Sequence, residues 1–339
     1  MIKVKVEDAV GMVLGHDLTK IVPGKFKGAA FKKGHIIKED DIKVLKDMGK
    51  NHIYVLDLKK GYLHEDEAAK RISELVAGEG LYFTGPSEGK INIKAKYRGL
   101  LKVNIDVLSR VNNIDMVILA TLHNNTLVER DTTVAGTRII PLVIEEEKIR
   151  KVEEIAKKHG EVLSIRRLKK MNVGIVVTGT EVYQGRIEDK FGPVLKEKLK
   201  KYDCNLIGIK YAPDDPHMIK EATQRLVDEG SKVILVSGGM SVDADDVTPN
   251  AIRDMADTVI TYGSPVLPGA MFMLAYVKDI TLIGIPACGM YHKTTIFDLV
   301  FPRIIIEEKL TKKDIISLAH GGLCLGCEIC KYPICPFGK

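Results

Sequence analysis

The chain has 339 residues, 45% hydrophobic and 28% charged, which is ordinary globular usage and excludes wholesale disorder. At roughly 150 residues per domain the length predicts two or three domains. A net charge of +6 suits anionic small molecules without demanding nucleic acid, no Trp and eight Phe leave few stacking platforms for single strands, and no apolar run approaches the ~18 residues of a membrane span.

The start, MIKVKVEDAV, lacks the apolar core of a signal peptide, so a cytoplasmic protein is expected. Residues 1–58 read as a small α+β module. Within it, EDDIKVLKDM from Glu39 to Met48 spaces Ile42, Leu45 and Met48 by three, with Gly49 as a C-cap, and His52 to Leu58 alternates as a strand. Residues 59–147 read as a β-rich middle domain. It opens on a helical stretch with Ala68, Ile72, Leu75 and Val76 on one face. Strands follow at Lys90 to Ala95, Met116 to Thr121 and Thr137 to Ile144. His123, beside Asn124 and Asn125, reads as a solvated turn. Residues 148–170 are dense in both charges with the narrow apolar stripe Ile149, Val152 and Ile155, and read as a solvated linker helix.

From Met171 the pattern changes to strand followed by helix. Val173 to Val177, Asn205 to Ile209 and Val233 to Val236 are the strands. Leu195, Leu199 and Tyr202 mark one intervening helix. The other is capped by Asp215, has Pro216 at its first position, carries Ile219, Ala222 and Leu226 on one face, and ends before Gly230. Three such units predict the α/β class: a three-layer, doubly wound, mostly parallel sheet over 171–310, preceded by the smaller α+β and β-rich segments. Ligands of such sheets bind beyond the carboxyl ends of the strands.

Small and polar clusters fall at those ends. They are Thr178-Gly179-Thr180-Glu181, Asp214-Asp215, and Ser237-Gly238-Gly239-Met240-Ser241 running on to Asp245-Asp246-Val247-Thr248-Pro249. Two later loops, Leu267-Pro268-Gly269-Ala270 and Gly284-Ile285-Pro286-Ala287-Cys288-Gly289, complete the set. Paired glycines after a buried strand let amide N–H groups face an anion, and Ser237, Ser241 and Thr248 add hydroxyls. A helix starting near Thr248 directs its positive end to the same place, so a phosphate ester fits. Asp214 precedes the cap and is freer than Asp215 to face a ligand. Asp246 reads as a metal ligand or a polar clamp on a ring system, with Glu181 in similar work.

Five ordered motifs now carry a resemblance. TGTE at Thr178, APDDPHMIKEA at Ala212, SGGMSVDADDVTP at Ser237, LPGAMF at Leu267 and IGIPACGMY at Ile283 are similar to the molybdopterin-binding domain of molybdenum-cofactor biosynthesis enzymes, as is the closing DLVFPRI. The opening Val6 to Lys20 resembles the start of the multidomain molybdenum insertases. The resemblance implies that Gly238, Gly239, Ser241 and Thr248 cradle the pterin's terminal phosphate. It also implies that Thr178, Gly179, Thr180, Asp215 and Ser237 border the ligand, and that Pro268, Gly269 and Pro286 wall the pocket. Glu181, Asp214 and Asp246 become candidates for proton transfer and for Mg²⁺. The implied function is binding of molybdopterin and insertion of molybdenum from molybdate, in a homo-oligomer. The alternatives are a carrier that delivers the cofactor to a molybdoenzyme and a nucleotide pyrophosphatase of the competence-damage type. Thr180 stands where many insertases carry an acid. Ala287-Cys288-Gly289 stands where insertases carry a Gly-Asn-Pro continuation, and no counterpart of their final β-domain is expected in the stretch that follows Glu308. Pterin binding is therefore implied separately from catalysis.

Residues 311–339 form a cysteine-rich tail. Cys324, Cys327, Cys330 and Cys335 follow the spacing C-x₂-C-x₂-C-x₄-C-P. That is one residue longer than a bacterial iron–sulfur pattern, and four thiolates also suit tetrahedral zinc. A metal or cluster is expected there, as a redox link or a docking element for a molybdoenzyme.

Overall fold

The computed structural model describes residues 1–22, 26–241, 243 and 246–339, so Asp245 of the third motif lies outside the described residues. The chain divides into two units, Met1–Arg166 and Arg167–Lys339. No helix among the described residues is long and apolar enough to cross a membrane.

The first unit is built from short antiparallel pairings. Strand Ile2–Lys5 pairs with His52–Val55, and helix Glu39–Asp47 buries Leu45 in a small core with Val6, Leu14, Ile37 and Ile53. Gly49, at φ +74°, follows that helix, as its C-cap role predicts. A four-stranded sheet of Leu81–Ser87, Lys90–Ala95, Val117–Thr121 and Thr133–Ile139 then packs on helix Glu65–Val76 through Ala68, Ile72 and Val76. The segment expected as one strand from Thr137 to Ile144 is two, Thr133–Ile139 and Val143–Glu145. Asn124 and Asn125 form the turn expected beside His123, with the Asn124 carboxamide oxygen accepting from the Val103 N–H at 3.0 Å.

The charged helix, Glu146–His159, corrects the linker expectation. Ile149 and Val152 are fully buried in the core of the first unit. Its stripe is narrow, but the facing helix Glu65–Val76 presents an equally apolar face, and Arg71 bonds Glu146 (3.1 Å) and Glu153 across the contact.

The second unit contains one six-stranded sheet. Its strands, labelled here, are β1 Asn172–Thr178, β2 Asn205–Ala212, β3 Val233–Ser237, β4 Thr258–Tyr262, β5 Met273–Val277 and β6 Ile280–Ile285, in the order β2-β1-β3-β6-β5-β4. β1, β2, β3 and β6 are mutually parallel and β5 runs against its neighbours. The helices are α1 Thr180–Tyr183, α2 Phe191–Lys201, α3 Pro216–Asp228, α4 Thr248–Met255, α5 Ile296–Ile304 and α6 Lys312–Ser317. Val176, Ile234 and Val236 pack with Ile219, Leu226 and Ile252 of α3 and α4. Side chains alternate along a strand, so Ile175, Val177 and Leu235, equally buried, face the opposite layer. Three layers result, with the carboxyl ends of four parallel strands collected along one rim.

Candidate functional site

β1 ends at Thr178 and turns at Gly179, whose φ of +134° only glycine adopts readily. The Gly179 N–H donates to the Ala212 carbonyl at the end of β2 (3.1 Å). Thr180 then donates from its N–H (2.8 Å) and its hydroxyl (3.0 Å) to Oδ2 of Asp214, and the Asp214 N–H returns a bond to Thr180 Oγ1 (3.2 Å). Asp214 therefore locks two neighbouring strand ends together with one carboxylate oxygen. Asp215 caps α3 by accepting from the Met218 N–H (2.9 Å), as its position before Pro216 predicts.

The glycine pair brings the third strand end into the same place. Gly238 sits at φ +94°, and a Cβ there would stand 2.1 Å from the Thr178 carbonyl oxygen. A Cβ on Gly239 would stand 2.8 Å from Thr248 Oγ1 and 3.6 Å from Asp214 Oδ1. The absence of side chains thus does more than expose amides: it lets the loop after β3 lie directly on the end of β1. Thr178, Asp214, Gly238, Gly239 and Thr248 converge on one rim.

The hydroxyls divide unequally. Thr178 and Thr248, both buried, share one hydrogen bond at 3.0 Å between their Oγ1 atoms. Only one hydroxyl proton is used in that bond, and among the described residues the other has no acceptor. Ser237, read from sequence as an anion donor, is fully buried, and its hydroxyl reaches the Val176 carbonyl at 3.5 Å instead. Asp246 Oδ2 accepts from the N–H groups of Ser241 (2.7 Å) and Asp243 (3.3 Å), so this carboxylate holds the shape of its own loop. Tyr262, which sequence reasoning missed, donates to the Ser241 carbonyl at 3.4 Å. Burial first, then the charge of Asp246, pushes the Tyr262 hydroxyl pKa up. A tyrosine ending an edge strand carries no sequence signal of this role.

The remaining candidates lie further out. Glu181 is exposed on the one-turn α1, its carboxylate 3.7 Å from the position of a Cβ on Gly179. Pro268 follows a cis peptide, and Gly269, at φ +137°, packs against Ile296 at the start of α5 so closely that a Cβ would meet it at 2.5 Å. Pro286 opens a turn in which its carbonyl accepts from the Gly289 N–H (2.8 Å). Burial raises the pKa of the Cys288 thiol in that turn and that of Cys204, to about 11, which makes both poor thiolates at neutral pH.

The tail is ordered against the second unit. Leu267 donates to Gly322 and accepts from Cys324, both at 2.8 Å, which joins the first proline loop to the cysteine segment. Cys330 Sγ lies 3.2 Å from Thr294 Oγ1, and the Tyr332 hydroxyl donates to the Asp298 carbonyl (3.1 Å). The cysteines are unpaired as disulfides. Among the described residues no three His, Cys, Asp or Glu side chains come together as a preformed set for a metal ion, and this holds alike for the zinc and for the cluster expected at Cys324, Cys327, Cys330 and Cys335.

Comparison with known proteins adds the following. Residues 174–306 match the family described as "Probable molybdopterin binding domain", and residues 3–57 match a "Domain of unknown function (DUF8806)". A CinA-like protein of Mycobacterium avium (strain 104) is 40% identical over 79 residues, 23% of this chain and 18% of its own length. A molybdopterin molybdenumtransferase of Synechococcus elongatus is 28% identical over 118 residues, 32% of this chain and 29% of its own length. The chain thus spans less than a third of either relative. Among solved structures, the molybdopterin biosynthesis enzyme MoaB of Thermus thermophilus aligns at 20% identity and a TM-score of 0.36, over 41% of this chain and 98% of its own.

Proposed function

We propose, from the membership of residues 174–306 in the molybdopterin-binding domain family of molybdenum cofactor biosynthesis, that this protein binds molybdopterin at the rim of β1, β2 and β3 and promotes insertion of molybdenum there. The observation that carries the reading is the convergence of Thr178, Asp214, Gly238, Gly239 and Thr248 from three strand ends. The phosphate of the pterin meets the amides of the glycine loop, the uncommitted hydroxyl of the Thr178–Thr248 pair and the amino end of α4. Asp214 and Asp246 keep two loops in shape. They and Glu181 supply carboxylates for proton transfer, and Mg²⁺ on the ligand's phosphates would be held by the same acids.

The chemistry is ligand exchange at molybdate, the substrate. One dithiol enters, its two S–H protons leave with one oxo group as water, and two Mo–S bonds replace one Mo=O. The protein's part is to hold both anions together and deliver protons to the departing oxygen.

Protein purified under reducing conditions should carry a pterin that becomes fluorescent on oxidation, and Asp246→Ala should abolish molybdenum incorporation while the melting transition stays cooperative. Full incorporation by that variant would remove Asp246 from the mechanism. Absence of any pterin, together with no binding when it is added, would defeat the whole reading. Binding without incorporation would establish the carrier role. A second enzyme reading draws on the CinA-like relatives: hydrolysis of a pyridine dinucleotide at its pyrophosphate, in preference to any action on molybdopterin, would replace the first.

A further inference from the structure

The cysteine tail adds no strand to the six-stranded sheet and lies outside the glycine loop of the rim. Residues 318–339 contain no helix and only one bridge, Leu267 to Leu323, yet both ends of the segment are fixed. Gly338 donates to the Gly321 carbonyl (2.9 Å), Phe337 is buried, and the Tyr332 ring stands edge-on to it. Between these anchors the usual order of burial is reversed. Leu325, Ile329 and Ile334 are 74%, 72% and 89% exposed and Cys327 is exposed with them, while Cys324, Cys330 and Cys335 are half-buried. A loop that needed only to pack would turn its leucine and isoleucines inward. Here all four cysteines instead line one cavity of about 490 Å³ beside the loop Tyr291–Thr294.

We propose that Cys324, Cys327, Cys330 and Cys335 are the thiolate ligands of a polynuclear iron–sulfur centre seated in that cavity. Two observations favour a cluster over a single ion. A cluster of several irons and sulfides spreads its thiolates around a volume, which is what the cavity offers. The spacing, with Pro336 directly after the fourth cysteine, is close to a known cluster-binding run. Four thiolates on such a cluster leave it anionic, and Lys293 and Lys331 on the cavity wall outnumber the one acid, Glu328. Each thiol gives up its proton to solvent as its sulfur bonds iron. The centre would lie at the end of the same loop, Leu267-Pro268, that walls the candidate pterin site, but the assignment stands without the pterin reading.

The test is anaerobic reconstitution of the full chain with ferrous and ferric iron in equal amounts and sulfide, so that a mixed-valent cluster forms with no external oxidant, beside a parallel sample given zinc alone. The expected result is a broad visible charge-transfer band with iron and acid-labile sulfide in equal amounts. The band should be lost in Cys327→Ser and in Cys335→Ser and kept in Cys204→Ser. Alkylation by iodoacetamide gives a readout that needs no variant: the four tail thiols should be protected after reconstitution and labelled before it. Stoichiometric zinc uptake without any iron–sulfur band would overturn the cluster. So would a band that survives replacement of all four cysteines, or tail thiols that stay reactive in reconstituted protein.

Discussion

In the first unit the buried His64 has both ring nitrogens committed. Nε2 donates to the Gly15 carbonyl (2.7 Å), and Nδ1 accepts from the Asp66 N–H (3.1 Å) and from the Lys33 ammonium (2.7 Å). At the rim of the second unit, the equally buried Thr178–Thr248 pair uses one of its two hydroxyl protons and keeps the other. Both are polar groups in places that favour apolar ones, but the first is a clip and the second is incomplete. In the proposed reading, the hydroxyl proton left over at the rim is the one a ligand oxygen would accept. The same contrast separates Asp215, which spends its carboxylate on the cap of α3, from Gly238 and Gly239, whose loop presents backbone rather than side chain.

The sharpest way to break the contrast is Gly238→Ala. The new Cβ meets a backbone carbonyl at 2.1 Å in a left-handed conformation, so a loss of about 2–4 kcal/mol in urea denaturation is expected together with loss of pterin binding. A variant as stable as the wild type would mean that the β1 and β3 ends do not approach as described. Next, His64→Ala and Thr248→Val should differ in kind. The histidine variant loses about 1–3 kcal/mol of stability with pterin affinity unchanged, since it strips a cap and leaves the Lys33 ammonium and the Gly15 carbonyl short of a partner. Thr248→Val keeps its volume and costs about 1 kcal/mol, yet should weaken pterin binding at least tenfold. Equal effects on affinity would erase the distinction between clip and site.

The smallest effect is in the pH dependence, where the units run in opposite directions. Burial first, then the neighbouring Asp66 charge, raises the pKa of Glu65 in the first unit to about 6, against Arg138 at 3.8 Å. The folded state holds its proton more tightly than the unfolded chain, so a stability cost of about 1–2 kcal/mol develops as pH rises from about 4.5 to 6 and persists above it. Glu65→Gln should remove that slope and melt higher at pH 7. In the second unit burial opposes ionisation of Asp314, but Thr311 and the buried Arg303 outweigh it and hold the pKa near 2. Its contribution is complete above the ordinary value near 3.8 and is lost as pH falls toward 2. A Glu65→Gln profile that parallels the wild type between pH 4 and 7 would rule out the assigned role of Glu65.

Much of the second unit was legible in its residues. Apolar runs placed β1, β2 and β3 within a few positions, Asp215-Pro216 marked the start of α3, and the small-residue motifs marked the rim, because each signal is local in the chain. The functions of single hydroxyls were not legible. Ser237 and Thr248 read alike from sequence, yet one bonds a buried carbonyl and the other a second threonine 70 positions away. Tyr262 reached the Ser241 loop only through strand order in the sheet.

The same division runs through the whole chain. Periodicity and capping chemistry determined which segments are helix or strand, and motif spacing determined which small-residue loops follow the strand ends, since these depend on neighbours along the backbone. Tertiary packing decided that Glu146–His159 is a core helix, that Asp214 ties β1 to β2, and that the four tail cysteines surround a cavity without closing on a point. Those outcomes rest on partners distant in sequence, and a local pattern carries no record of which surface it will meet.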